Sequence, residues 1–328
     1  MRESGELPMA KQKNANGESQ AQAVAMRAAL ARKIAAHIHS DGKEATSVPG
    51  LSLYRKSTPT ECASAAYMPE LIVFVQGEKR INVGGATLLC DETTFLLTSI
   101  DMPVISQVTK ASREAPILAL LLKLEMPTVR EILSQEEFHG TEAVSGARGM
   151  AVGKTTAELL DACSRLLDLL DASQNNPFLS NLIQREIIYR LLRSPVGKHL
   201  RAIATLGGQS NRTARAVEWL RGNYAKPLRI EKLASVAQMG ISTFHHHFRS
   251  LTAMSPLQYQ KQLRLHTARV RMFLDGLDAA SAAFEVGYES PSQFSREYSR
   301  FFGQPPMRDI KARRFASVAT ESASLEAE

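Results

Sequence analysis

Cysteine is scarce. The 328 residues hold three, Cys62, Cys90 and Cys163, whose odd number and wide spacing exclude a disulfide framework or a zinc cage and fit a reducing cytoplasm. Long apolar runs are also missing. The longest, Ile117 to Leu122, falls far short of the ~20 residues of a membrane helix, so a soluble protein with no membrane partner is expected. Residues 1–20 lack the apolar core and cleavage site of a secretory signal, which predicts no export. Neither a glycine-rich phosphate loop nor a nucleophile elbow occurs, which removes two common routes to catalysis. What remains is a globular balance, 44% hydrophobic and 22% charged, in a chain long enough for about two domains.

Positive charge is present but local. Residues 209–316 carry 17 Lys and Arg against 8 Asp and Glu, whereas the rest of the chain carries 23 against 25. A compact segment with that excess attracts a polyanion, and nucleic acid is the first candidate.

The chain divides into a disordered tail (1–20), a first domain (21–205), a second domain (209–316) and a disordered tail (317–328). A helix is predicted from Gln20 to Ser40, with Val24, Ala28, Ala31 and Ala35 on one side. Short β-rich runs follow: Leu71 to Val75, Lys79 to Val83, Ala86 to Cys90, Thr94 to Thr98, Val104 to Thr109 and Ile117 to Leu124. That is the pattern of a sandwich or barrel. Gly84-Gly85 marks a two-residue hairpin, because glycine tolerates the positive φ of a tight turn. Beyond Pro127 the pattern turns helical, and Leu159, Leu160, Cys163, Leu166, Leu167 and Leu170 form one stripe. Such a stripe packs on the sheet domain or forms a dimer interface, and its spacing does not choose between them. Asn175-Asn176-Pro177 ends this helix before another, Phe178 to Arg193.

The basic region holds one arrangement twice. Glu231 to Gln238 and Ala280 to Val286 read as short helices with small contacts at Ala234 and Ala283. Turns through Met239-Gly240 and Gly287 lead into second helices with buried stripes Phe244, Phe248, Leu251 and Phe294, Tyr298, Phe301. Ser290 is placed to cap the last helix and Pro291 to occupy its first position. Two helix-turn-helix units follow. Their outer faces present Ser242, Thr243, His245, His246 and Arg249 in the first, and Ser292, Gln293, Ser295, Arg296 and Arg300 in the second. Arg can hold guanine bidentately, Gln can hold adenine, and hydroxyls can contact base edges or phosphate. The connecting stretch, Pro256 to Leu274, is roughly 28 Å long as a helix, near the ~34 Å turn of B-DNA. Arg264, Arg269 and Arg271 along it, and Lys311, Arg313 and Arg314 after it, are expected phosphate contacts.

With these residues the sequence resembles the AraC-type (AraC/XylS) transcription regulators. The resemblance rests on Leu233-Ala234, Ser242 to His245, Ser255 to Tyr259, Arg264-Leu265 and above all Val286 to Tyr298 through Phe302 to Pro306. Upstream, Pro69-Glu70, Val75 to Gly77, Lys79-Arg80, Gly84, Ser99, Asp101 to Pro103 and Pro116 are similar to the sensor domain of one subgroup. The chain departs from the family pattern at Gln238, where glycine is common, and at Gly240, where a capping serine is usual.

The resemblance implies an α+β chain: an N-terminal cupin-like β-barrel with a helical extension for sensing and dimerisation, then an all-α domain of two helix-turn-helix units joined by a long helix. It implies a cytoplasmic homodimer that binds double-stranded DNA and a small effector, with RNA polymerase as a further partner. An uncharged or weakly anionic organic molecule is expected inside the barrel, near Tyr67, Gln76, Lys79 and Arg80. Strand alternation forbids Lys79 and Arg80 from both facing inward. A filled barrel serving only as a dimerisation platform is the alternative.

Two other functions compete. Cupin-like barrels that are enzymes hold a metal through histidines, yet none of the eight lies between Gly50 and Phe138. His245, His246 and His247 are adjacent on a helix and point about 100° apart, so they cannot close on one ion. Cys62 follows Glu61, whose charge disfavours a thiolate. No metal, cofactor or enzymatic activity is therefore expected. An architectural DNA-binding protein without effector would leave the N-terminal half without a purpose.

Overall fold

The computed structural model describes residues 9–136, 138, 148–171 and 176–314; part of the first expected tail and all of the second lie outside the described residues. Helix α1 (Met9–His37) starts ahead of the expected Gln20. It buries Leu30, Ala31 and Ile34 rather than a line beginning at Val24, which is 55% exposed.

Among the described residues the strands are β1 (Gly42–Ala45), β2 (Leu51–Lys56), β3 (Ala63–Tyr67), β4 (Glu70–Gln76), β5 (Glu78–Val83), β6 (Ala86–Asp91), β7 (Thr94–Thr98), β8 (Met102–Lys110), β9 (Ile117–Lys123) and β10 (Met150–Lys154). They form a six-stranded sheet of order β1-β2-β9-β4-β7-β10 and a four-stranded sheet of order β3-β8-β5-β6. A barrel closes only when its end strands pair with one another. Here β1 and β10 end one sheet and β3 and β6 the other, so the expected cupin-like barrel is corrected to two open antiparallel sheets packed face to face.

Both faces of the larger sheet carry a core. On one face Leu71, Val73, Leu118, Leu120 and Leu122 join the helices. On the other, Ile72, Phe74, Ala119 and Leu121 meet Ile81, Met102, Val104 and Val108 of the smaller sheet. Burial on both sides explains why β4 and β9 read as unbroken apolar runs rather than alternations. Between β5 and β6, Gly84 and Gly85 have φ of 52° and 93°, as the tight turn requires.

Helices α2 (Met126–Gln135), α3 (Ala157–Asp171), α4 (Pro177–Arg193) and α5 (Gly197–Ala204) cover the outer face. The leucine stripe lies on α3, and Leu159, Leu160, Cys163, Leu166 and Leu167 are all buried inside the chain. Its role is therefore intrachain packing. No helix among the described residues is long and apolar enough to cross a membrane.

The remainder is helical: α6 (Gln209–Gly222), α7 (Ile230–Val236), α8 (Ile241–Thr252), α9 (Pro256–Leu274), α10 (Ala279–Glu285), α11 (Pro291–Phe302) and a helical segment at 306–314. α9 opens with a capping box between Ser255 and Gln258 and with Pro256 in its first turn. The core between the sheets continues into Leu233, Ala234, Phe244, Phe248 and Tyr259 of the first unit. The second unit keeps a core of its own around Phe294 and Tyr298.

Candidate DNA interface

Both helix-turn-helix units are built on the same backbone scheme. The amide of Met239 donates to Ala234 O at 3.0 Å in the first, and that of Tyr288 donates to Ala283 O at 2.9 Å in the second. Each turn needs one left-handed residue, Gln238 at φ 53° and Gly287 at φ 89°. An L-residue in that region is strained by roughly 1–2 kcal/mol, so the departure from glycine at Gln238 weakens the first turn. Arg212 offsets part of this by donating to Gln238 O at 3.1 Å. Gly240 begins α8 without a side-chain cap, whereas Ser290 Oγ accepts from the Gln293 amide at 3.3 Å and fixes the start of α11.

The second helices are amphipathic as the spacing predicts. Phe244 and Phe248 of α8 and Phe294 and Tyr298 of α11 are fully buried. Ser242, Thr243, His245, His246 and Arg249 are exposed on α8. On α11, Ser292, Gln293, Arg296 and Arg300 are exposed and Ser295 is half-buried. Arg249 also borders a crevice shared with Val83, Gly84 and Met150 of the sheet domain. Sequence reasoning missed Glu297, which accepts from Tyr288 Oη at 2.8 Å, Gln293 Nε2 at 3.3 Å and Lys261 Nζ at 3.2 Å. Its signal was the four-residue spacing from Gln293. Burial alone would raise the Glu297 carboxyl, and these hydrogen bonds outweigh it and hold the group below its ordinary value.

Each of the expected phosphate-contacting arginines along α9 has partners within the chain. Arg264 donates to Tyr224 O, Ala225 O, Lys226 O and Gly287 O, tying the two units together. Arg269 is buried against Asp309, and Arg271 pairs with Asp275 and Glu285. Arg313 also engages Asp309, and Arg314 donates to Met272 O and Phe273 O. An arginine on a connecting rod can serve the fold as readily as a ligand, and its spacing does not distinguish the two.

The expected effector residues are only partly gathered. Lys79 turns inward, with Nζ 4.8 Å from the Tyr54 ring centroid and 5.5 Å from that of Tyr67. Burial pushes the Tyr67 phenol well above its ordinary value. Gln76 donates to Pro116 O at 2.7 Å at the bulge in β4, and Arg80 is exposed on the opposite face from Lys79.

Residues 47–199 match the family model described as the AraC-type transcriptional regulator N-terminus, and residues 233–312 match that of a helix-turn-helix domain. The transcriptional activator RhaS of Mannheimia succiniciproducens is 26% identical over 152 residues, 45% of this chain and 54% of that protein. RhaS of Escherichia fergusonii is 27% identical over 162 residues, 48% and 56% of the two chains. The chain spans about half the length of the curated relatives it matches. In fold it is similar to ToxT from Vibrio cholerae, with a TM-score of 0.55 over 79% of this chain and 97% of that one at 10% identity. The first matched model describes transcriptional regulators, and the RhaS proteins are transcriptional activators. With a sensor-type domain ahead of two helix-turn-helix units, the chain belongs to the AraC/XylS family of transcription regulators.

Proposed function

We propose that the protein is a cytoplasmic, effector-controlled regulator that reads duplex DNA with the outer faces of α8 and α11. The observation that carries this reading is the pair of matched units with exposed hydrogen-bonding faces in the most basic part of the chain. Arg296 is its principal base contact. Arg296→Ala will weaken binding to the specific site by about 1–3 kcal/mol and relax preference at one base pair, with little change on random DNA. Equal losses on specific and random DNA, measured by titration at fixed salt, would reduce Arg296 to a phosphate contact.

A small effector held by the N-terminal domain sets DNA affinity or promoter activation, with RNA polymerase as the partner downstream. Support for a small-molecule input comes from ToxT, which has been solved with an unsaturated fatty acid bound. The protein acts as a homodimer. With the α3 stripe buried, the surface for this is the start of α4, where Phe178, Leu179 and Leu182 are 74%, 41% and 47% exposed. Sedimentation at micromolar concentration should show a dimer that Leu182→Glu converts to monomer. A wild-type monomer on its full operator would remove the proposal.

A further inference from the structure

A cavity of about 850 Å³ lies between the outer face of β3 and helix α9, outside the space between the sheets. That volume suits a small ligand. One wall is Ser64, Ala66 and Met68, and the other is Leu263, Val270 and Leu274. Met68, Val270 and Leu274 are 44%, 52% and 71% exposed, an unusual concentration of uncovered apolar side chains around one hollow. Tyr67, Gln76, Lys79 and Arg80 do not line it.

Beside the uncharged polar residues Ser64, Tyr224 and Thr267, the charged side chains on the lining are Arg221, Arg269, Arg313 and Asp101. Arg221 pairs with Asp101 at 3.1 Å on the lining, and Arg269 and Arg313 share Asp309 behind it, so three guanidiniums are balanced by two carboxylates. The side chains of Arg221 and Arg313 remain 49% and 42% exposed. His266 adds no charge at neutral pH, since burial pushes its imidazole down to about 4. Its Nε2 is hydrogen-bonded to Ser64 Oγ, and its ring meets Phe301 and Phe302 edge-on at 5.6 and 5.8 Å. His266 thus joins the β3 wall to the end of α11.

We infer that this inter-domain cavity is the effector site, that it takes an apolar molecule carrying one carboxylate, and that occupancy shifts α11 through α9 and His266. The apolar body would cover Met68, Val270 and Leu274, and the carboxylate would meet Arg221. A ligand wedged between β3 and α9 acts on the joint between sensor and DNA reader, so its binding energy can bias how the second unit is held. This inference rests on the regulator reading above.

The test uses the full-length protein with decanoate and 4-butylbenzoate as carboxylate probes and 1-decanol and decylamine as neutral and cationic counterparts. Isothermal titration should show both carboxylates binding at least tenfold tighter than their counterparts. Ala66→Phe, which fills the hollow from an exposed position, should weaken them about tenfold, and Arg221→Gln should erase the preference for the carboxylate. A saturating carboxylate should change the affinity for specific DNA by about fivefold or more. Failure of both carboxylates to bind, binding untouched by both variants, or binding without any change in DNA affinity would each overturn the inference. Sequence-specific DNA binding, measured with no probe present, reports on the regulator reading separately.

Discussion

Replacing Asp309 with alanine will destabilise the second helix-turn-helix unit by about 3–5 kcal/mol, because it strands a buried cation. Arg269 donates to both Asp309 oxygens at 2.7 Å, and Tyr298 Oη adds a third hydrogen bond at 2.7 Å. Arg269 is 9% exposed and stacks 4.1 Å from the Phe302 ring centroid. Without the carboxylate this largely buried guanidinium loses its counter-charge and two of its hydrogen bonds. The pair itself need not be strongly stabilising, since burying two charges offsets most of their attraction. The double variant Arg269→Met with Asp309→Leu should therefore recover most of the loss. Urea unfolding checks both, and a loss below about 1 kcal/mol for the single variant would contradict this account. Burial alone would raise the Asp309 carboxyl, but the bonds from Arg269 and Tyr298 and the nearby guanidinium charges outweigh it and depress the group. Its contribution is then fully present above about pH 4 and disappears as the pH falls through its lowered value.

Gly287→Ala should destabilise the same unit by about 3 kcal/mol, combining a left-handed backbone with a steric clash. A Cβ at this position would lie 1.9 Å from Ala225 O, and φ is 89°. Arg264 Nη1 also donates to Gly287 O at 2.9 Å, so any displacement of the turn disturbs the bond that ties the units together. Gly303 separates the two causes. Its φ is 81°, yet nothing lies within 4 Å of an added Cβ, so Gly303→Ala should lose only about 1 kcal/mol. Equal losses for the two variants would show that crowding against Ala225 contributes nothing. Specific DNA affinity should fall with Gly287→Ala, since Ser290 and α11 follow directly from that turn.

The elements that could be read in the sequence were those whose burial leaves a local trace. β4 and β9 are apolar at nearly every position because both faces are covered, and α8 and α11 repeat their aromatic stripes at helical spacing. β1, β3 and β10 are built from Gly-Lys-Glu-Ala, Ala-Ser-Ala-Ala-Tyr and Met-Ala-Val-Gly-Lys. They pair at the sheet edges and bury little, so no periodicity marked them, whereas β2 went unread although it buries Leu51 and Leu53 in alternation, a trace only two apolar positions long. Closure of the strands was misjudged for a related reason. Whether β1 reaches a second partner is a long-range hydrogen-bonding question, and alternation along a strand is the same in a barrel and in two open sheets. The α3 stripe announced burial but not its partner, which is α1 and α4 of the same chain. In the candidate interface, outer-face residues followed from helical geometry. The structural roles of Arg264 and Arg269 did not, because their partners Tyr224 and Asp309 lie about 40 residues away.

The central claim, that two units read DNA sequence together, is tested most directly by hydroxyl-radical footprinting of the full-length protein on DNA selected from a random library. The account predicts two protected segments per subunit on one face of the duplex, spaced by about one helical turn, ~10 bp. Arg296→Ala should weaken the segment beneath α11 and leave the other in place. Sequence-independent protection, or a single protected segment indifferent to Arg296, would contradict it.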